Sequence, residues 1–577
     1  MNLVVLLVAA HIALGQPAEQ RTPPDRGPQD LLAPRRGPDR VNWWNDTVFY
    51  QIFPRSFADS TRGPLAGDGV GDLQGILEKL DYLNDGNPDT DTDLGIGGMW
   101  LTPFYPSPSY HGYDVTDYFE VHPQIGTVDD FKRLVGECHR RGIRIIVDLV
   151  LNHCSNRHDW FVKAADPASP FHDWFIWADK DPGWRGPWNQ RVWHRLPPAG
   201  PTVAERYYYG LFSPTMPDLN FRHRAVTDAM NEITRTWVSV YGADGVRLDA
   251  VRHLIEEGQV QQNTPSTHKW LADWHLNLKG SNIDALAIGE VWDDSDKVAA
   301  YVGSGMDLAF EFSLAEAMIV SVASGRAEAF LAAQQRVLAL FPPNQYGRFL
   351  SNHDQTRVMT RLKGDVGAMK AAAALLLLGP GVPFIYYGEE IGMTGDKPDE
   401  QLRTPMQWTP GPAAGFTTGT PWARVNADAA NVNVETQASD PESLLRYYCR
   451  LIALRNKYPG LASGRTRMVK ADNPHIVAMY RHRTTRMMSA GGPGSQFGEA
   501  RPRTDHLLIV VNLGSEAVDQ CTLAAEGSAL RARVTGKDVL GRATIPEFAA
   551  DDKGAFDSLT VRNLAPRAAA VFELTPP

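Results

Sequence analysis

Residues 144–153 read RIIVDLVLNH, an aliphatic run interrupted by one carboxylate, Asp148, and closed by Asn152 and His153. The run is β-branched, lacks the helical period and is too short for a helix, so it predicts a buried strand over 144–151. Just upstream, VDDFKRLVGECHRR (128–141) repeats apolar residues at i, i+3 and i+4, which predicts an amphipathic helix. A helix feeding a strand with no polar face is the unit of a parallel α/β sheet.

The same alternation extends in both directions. Apolar runs at 48–57, 98–104, 144–151, 245–249, 286–291, 308–312, 348–351 and 382–387 make eight strands, separated by helical patterns such as LQGILEKLDYLND (73–85). Eight such units fit a (β/α)8 TIM barrel. A doubly wound open sheet is the alternative, but no GxGxxG follows an early strand. Two parts fall outside the alternation. Residues 153–221 are aromatic, rich in Pro and Gly, and too long for an ordinary βα loop, so they read as a small domain inserted after the third strand. Beyond a helix at 442–457, short alternating runs such as HIVAMYRH (475–482), HLLIVVNL (506–513) and AAAVFEL (568–574) predict a C-terminal antiparallel β-sandwich. The GGPGS-bearing loop 488–502 reads as mobile. The resulting division is barrel 42–152 and 222–462, inserted domain 153–221 and sandwich 463–577.

The N-terminus MNLVVLLVAAHIALG (1–15) has an apolar core too short to span a bilayer and small residues before a cleavage point, as in a secretory signal. A buried apolar strand is the alternative. Residues 16–41, with PPDRGP and APRRGPDR, read as an extended or disordered leader. Export to the periplasm or outside the cell follows. The four cysteines make no disulfide framework in so long a chain. Cys138 and Cys154 fall at opposite ends of one strand, out of disulfide reach, whereas a Cys449–Cys521 pair stays open.

With 57 basic against 67 acidic residues the net charge is −10, and no long basic run is present. Nucleic acid and anionic membranes are therefore excluded as main partners. The 15 Trp, 18 Tyr and 22 Phe serve either a core or sugar stacking, and composition does not separate the two.

Chemistry concentrates where barrel strands end, the face that carries catalysis in such folds. VDLVLNH (147–153), GVRLDAVRH (245–253), AIGEVW (287–292) and FLSNHD (349–354) each end in acidic or imidazole groups. Each is readable as a separate ion pair or cap, but four converging on one rim point to a site. These segments resemble the four hallmark regions of the α-amylase superfamily, glycoside hydrolase family 13. MPDLN (216–220), YQIFPRSF (50–57) and RTPMQW (403–408) extend the resemblance from about residue 43 to the C-terminus.

By that resemblance Asp249 is the nucleophile, Glu290 the general acid and base, and Asp354 the third carboxylate. Two carboxyl groups about 5–5.5 Å apart support a covalent glycosyl-enzyme and net retention. Arg247, two residues before Asp249 and therefore on the same strand face, is placed to keep Asp249 charged. His153 and His353 match imidazoles that bind hydroxyls of the cleaved sugar, and Tyr113 the aromatic platform beneath it, with Gly112 letting the backbone approach a ligand. Arg403 is expected to reach the same ring. In SYHGYD (109–114) the acidic residue that closes the pocket of exo-acting relatives is replaced by Tyr110, followed by His111, an amylase-like pattern. Arg252 and His253 resemble the pair serving the leaving-group side, whereas RTPMQW and NHDQTR (352–357) resemble the oligosaccharide-hydrolase branch.

The resemblance thus implies a retaining hydrolase of α-1,4-glucans and maltooligosaccharides. An α-glucosidase or oligo-1,6-glucosidase, or a transglycosylase or isomerase such as a trehalose synthase, is the alternative. A non-catalytic glucan-binding homologue would lack the carboxylates that are present here. Oxygen ligands spaced by Gly at Asp59, Asp68, the Val70 carbonyl and Asp72 suit structural Ca²⁺, although RGPLA (62–66) lengthens that loop. A second calcium position resembles Asn152, Asp218 and the His253 carbonyl, and Arg247, Asn352 and Arg357 resemble a chloride site. No organic cofactor, no stable membrane insertion and a monomeric state are expected.

Overall fold

The computed structural model describes residues 42–576 except 89, 197–204, 488–500 and 542. The signal and leader readings (1–41) and most of the 488–502 loop lie outside the described residues.

Eight strands form the barrel: β1 (Phe49–Ile52), β2 (Gly98–Leu101), β3 (Arg144–Leu149), β4 (Gly245–Leu248), β5 (Leu286–Gly289), β6 (Leu308–Ala309), β7 (Gly347–Arg348) and β8 (Val382–Tyr386). Their order is β7-β8-β1-β2-β3-β4-β5-β6, with every neighbour parallel. A parallel bridge between Phe310 and Gly347 joins β6 to β7 and closes the ring. Each strand is shorter than its apolar run. Pairing stops where the chain turns outward, so Asp249 and Glu290 each stand one residue beyond a strand.

Side-chain alternation then layers the interior. Phe49, Trp100, Ile146, Leu286, Ile288, Phe349 and Phe384 pack as one buried cluster from facing strands. Two residues further along the same faces come Gln51, Asp148 and Glu290, while Arg247 stands two beyond Gly245. An apolar floor thus supports a polar layer at the C-terminal rim. The expected helix at 128–141 runs Val128–Arg140, opened by a reciprocal Thr127–Asp130 capping box. The expected helix at 73–85 is instead split, Leu73–Glu78 and Leu80–Leu83, because Lys79 leaves helical geometry.

The inserted segment holds a three-stranded antiparallel sheet of Trp177–Ala178, Arg206–Tyr209 and Trp193–Leu196, in that order. At the C-terminus eight strands form an antiparallel sheet. Arg465–Ala471 pairs with one half through its first five residues and with the other through its last two. The two halves enclose one core that includes Val510, Phe572, Leu523 and Val561.

Three fully buried arginines gather at the face where this domain meets the barrel, and one of them, Arg481, belongs to the C-terminal sheet and fastens it there. Arg348 donates to Leu375 and Pro380 carbonyls, Arg455 to Leu377, Gly379, Gly381 and Ala462, and Arg481 to Leu378, Gly379 and Leu461. Leu375, Leu377 and Leu378 are in the last turn of the helix Val366–Leu378 and residues 379–381 follow it, where cations favour the dipole and satisfy orphan acceptors. All four cysteines are free and buried, which corrects the open Cys449–Cys521 pairing. Cys449 packs in the barrel core and Cys521 in the C-terminal core, so the two thiols belong to different clusters.

Candidate active site

Arg247 organises the rim. Its guanidinium is 1 % exposed and donates from Nη1 to Asp148 (2.8 Å) and Asp249 (2.6 Å), and from Nη2 to Glu290 (2.7 Å). A planar guanidinium spreads fixed donors over separate nitrogens and so reaches carboxylates at three strands, whereas a lysine ammonium offers its three protons from one point. Sharing one guanidinium keeps Asp249 and Glu290 close, as the short spacing of a retaining pair requires. Ala250, immediately after Asp249, takes a left-handed φ of 49°, and its amide donates to Glu290 (3.3 Å). Such strain at a non-glycine residue is typical of sites held by their surroundings.

Burial raises the Asp249 carboxyl to about 6, against the pull of Arg247. Burial raises Glu290 further, to about 7, with the charges of Asp249 and Asp354 adding to it and Arg247 opposing. Burial also pushes Asp354 up, but His353, Arg403 and Arg247 outweigh it and its carboxyl lies below the ordinary value. Near neutrality the site therefore holds Glu290 as the carboxyl most able to keep a proton and Asp354 as the one most firmly ionised.

The remaining expected residues gather around these three. Arg403 spans Asp354 (2.8 Å), Asp399 (3.1 Å), the Tyr110 hydroxyl (3.2 Å) and the His353 carbonyl (2.9 Å). The Tyr113 hydroxyl lies between Asp148 (3.1 Å) and His353 Nε2 (2.6 Å), and its ring stacks on His353. Gly112, with φ 82°, approaches the Pro103 carbonyl rather than a ligand, since a Cβ there would lie 2.6 Å from that oxygen. His111 Nδ1 accepts from the Tyr113 amide (3.1 Å). Burial holds His153 neutral, at about 4, and its Nε2 has no hydrogen-bond partner among the described residues. Arg252 is held by the Trp292 carbonyl and Asp293, and its Nε donates to His253 Nε2 (3.0 Å). His253 Nδ1 donates to the Gln261 carbonyl (2.9 Å), so both its ring nitrogens are used within the protein.

Tyr113, His111, His153, Asp249, Arg252, His253, Glu290, Asp354 and Arg403 line one cavity of about 380 Å³. Its wall also carries residues that sequence reasoning gave no role, among them Asp399, Phe212 and the half-exposed Trp292. Trp188 reaches it from the inserted domain and is 57 % exposed. A larger cleft, about 730 Å³, lies between helices Leu73–Glu78 and Val128–Arg140. Its arginines are already paired, Arg133 with Asp130, Arg141 with Glu137 and Arg62 with Glu78, so volume alone does not mark the site.

The loop expected to bind calcium is occupied with its own backbone. Asp59 accepts from the Gly67 (3.0 Å) and Gly69 (2.9 Å) amides, Asp68 from Val70 (2.8 Å), and Asp72 from Ser60 and from Gly75, capping a helix. Among the described residues no three His, Cys, Asp or Glu side chains are grouped to hold a metal. In this arrangement the three carboxylates are each engaged by backbone or hydroxyl donors. The second position fits better. Asn152 Oδ1 is buried without a partner among the described residues, and burial lifts the adjacent Asp218 carboxyl to about 8. The three residues likened to a chloride site serve separate partners: Arg247 the carboxylates, Arg357 the Leu402 and Tyr387 carbonyls, and Asn352 the Asp354 amide.

Comparison with known proteins agrees with this geometry. The family model described as alpha amylase, catalytic domain, matches residues 51–464. An alpha-amylase 3 of Dictyoglomus thermophilum is 37% identical over 441 residues, 76% of this chain and 82% of that one. A trehalose synthase/amylase TreS of Mycolicibacterium smegmatis is 35% identical over 544 residues, covering 84% of this chain and 86% of its own length. The crystal structure of an alpha-amylase from H. orenii superposes with a TM-score of 0.75 at 34% identity, over 91% of this chain and 99% of that one.

Proposed function

This chain belongs to the alpha-amylase family of glycoside hydrolases, and we propose that it cleaves α-1,4-glucosidic bonds in maltooligosaccharides and starch-type glucans with net retention. The observation that carries the reading is the single buried Arg247 holding Asp249 and Glu290 side by side with different proton affinities. Asp249 attacks the anomeric carbon as Glu290 passes its proton to the departing glycosidic oxygen. Glu290, now ionised, takes a proton from water, and that water's oxygen replaces Asp249 on the same carbon. Asp354, held ionised by the Arg403 and Arg247 guanidiniums, stabilises positive charge developing on the ring. His153 Nε2, without a partner among the described residues, is available to a sugar hydroxyl.

Transfer to a second sugar is the alternative outcome of the same intermediate. Exposed Trp188 and Trp292 on the cavity wall favour it, because aromatic faces retain a sugar acceptor in competition with water. Structural calcium, with Asn152 and Asp218 as its holders, and export guided by residues 1–15 belong to the same proposal. Incubation with maltoheptaose tests the reaction. Rising reducing power and short maltooligosaccharides support hydrolysis, constant reducing power supports transfer, and turnover surviving Asp249→Ala sinks the mechanism. Isomaltose cleaved in preference to maltooligosaccharides points to the α-1,6 branch instead.

A further inference from the structure

Gln51 lies in β1, in register with Trp100 of β2 and Tyr386 of β8, and is 2 % exposed. Its side chain points into the polar layer, where Nε2 lies 2.7 Å from His353 Nδ1, a contact spanning 302 residues of sequence. An amide nitrogen only donates, so Nδ1 must be the bare, accepting nitrogen. A neutral imidazole then carries its one proton on Nε2. Burial keeps His353 neutral, at about 3.

From Nε2 the consequences run one way. Nε2–H is 2.6 Å from the Tyr113 hydroxyl and 3.1 Å from Asp354 Oδ2. Having accepted there, Tyr113 donates its own proton to Asp148 Oδ2 at 3.1 Å. Asp148 Oδ1 in turn receives Arg247 Nη1, the same nitrogen that holds Asp249. With the proton on Nδ1 instead, it would oppose the Gln51 amide. Tyr113 would then have to donate to Nε2 and abandon Asp148. The Trp100 edge and the stacked Tyr113 face hold the ring in place but do not distinguish its two nitrogens.

We propose that Gln51 is a positioning residue that fixes His353 as the Nε2–H tautomer and thereby orders Tyr113, Asp148 and Arg247 behind the nucleophile. This deepens the hydrolase reading of the site and rests on it for its kinetic consequences only.

The test is Gln51→Glu in the full-length chain, with Gln51→Leu as a second variant. An ionised carboxylate at 51 only accepts, so at a pH where the introduced carboxyl is ionised Nδ1 must acquire a proton. The ¹⁵N spectrum of histidine-labelled protein, with the His353 signals assigned by their loss in His353→Asn, reads the tautomer without substrate. Wild type is expected to show Nε2–H, and Gln51→Glu to show Nδ1–H or imidazolium. With maltoheptaose, kcat is expected to fall roughly 10–100-fold, as for outer partners of other site histidines, with a new ionisation in the pH profile of Gln51→Glu alone. A wild-type Nδ1–H signal, or an unchanged ¹⁵N signature and pH profile in Gln51→Glu, overturns the proposal. If Gln51→Glu does not fold, Gln51→Leu with wild-type kcat overturns it equally. Absence of turnover in wild type would refute the hydrolase reading while leaving the tautomer result intact.

Discussion

Arg247 Nη1 lies 2.6 Å from Asp249 Oδ1, and that arginine belongs to the same strand as the catalytic turn it steadies. Because the guanidinium also serves Asp148 and Glu290, Arg247→Lys replaces a three-way fork by a point charge. We expect kcat to fall about 10²–10³-fold, the range for loss of one preorganised electrostatic donor. Arg247→Ala is expected to be worse and less stable, since three buried carboxylates lose their cation. Steady-state kinetics beside far-UV circular dichroism check this, and a Lys variant with wild-type kcat contradicts it.

The pH dependence follows from the same contacts. Asp249, at about 6, must be ionised and Glu290, at about 7, must be protonated. Activity therefore rises with pH through the lower value and falls through the upper, a narrow bell in kcat/KM. The two apparent values belong to the coupled pair. Arg247 lowers both, so its removal should move both limbs upward, which a profile from pH 4 to 9 measures.

Asp249, Glu290 and Asp354 were legible because each stands at or just past a strand end, which a barrel delivers to one rim, and because their segments resemble a known family's hallmark regions, which is what assigned their roles. Asp148 was visible as a carboxylate too costly to bury alone, yet its partner Arg247 lies 99 residues away and cannot be read from spacing. Gln51 hides inside an aromatic motif, where nothing local marks a polar residue as facing the site. The calcium reading of Asp59–Asp72 illustrates a degenerate signal: Asp spaced with Gly also caps helices and accepts from turn amides, and Asp59 and Asp72 do that here. Strand lengths were overestimated because hydrophobicity continues past the last ladder bond into the buried βα turns.

Alkaline stability should be limited by Glu389. It is buried on the Tyr448 hydroxyl (3.0 Å), and burial raises its carboxyl to about 8, with Glu390 adding to the rise and Arg357 opposing. A folded value above the unfolded one means that the native state holds the extra proton. Its stabilising contribution is complete below about 4.3, the ordinary Glu value, and is lost as pH rises through about 8. Glu389→Gln keeps an acceptor for Tyr448 and removes the ionisation. Melting curves at pH 6 and pH 9 should show a smaller fall in Tm for the variant, and an equal or larger fall would refute the assignment.

Calcium should act through Asp218 rather than Asp59. Asp59 and Asp218 each already accept two amide hydrogen bonds, but beside Asp218 the buried Asn152 Oδ1 is without a partner among the described residues. Chelation is expected to lower Tm in wild type and in Asp59→Asn alike, and to leave Asp218→Asn unaffected. Isothermal titration of the chelated protein with Ca²⁺ supplies a second readout, and binding that survives Asp218→Asn but not Asp59→Asn reverses the assignment.

Trp188 is the most exposed aromatic ring on the cavity wall, with Phe212 5.7 Å and His253 5.9 Å from its centroid. It touches none of the three carboxylates, so truncation should weaken binding of the sugar chain without changing the bond-breaking step. Loss of one aromatic face costs about 1–2 kcal/mol, so Trp188→Ala should raise KM for maltoheptaose roughly tenfold with kcat nearly constant, the signature of uniform binding. An acceptor sugar depends on the same face, whereas water does not. The ratio of transfer to hydrolysis products should therefore fall in Trp188→Ala, measured by chromatography at equal turnover. An unchanged KM and product ratio would assign Trp188 to the inserted domain's packing instead.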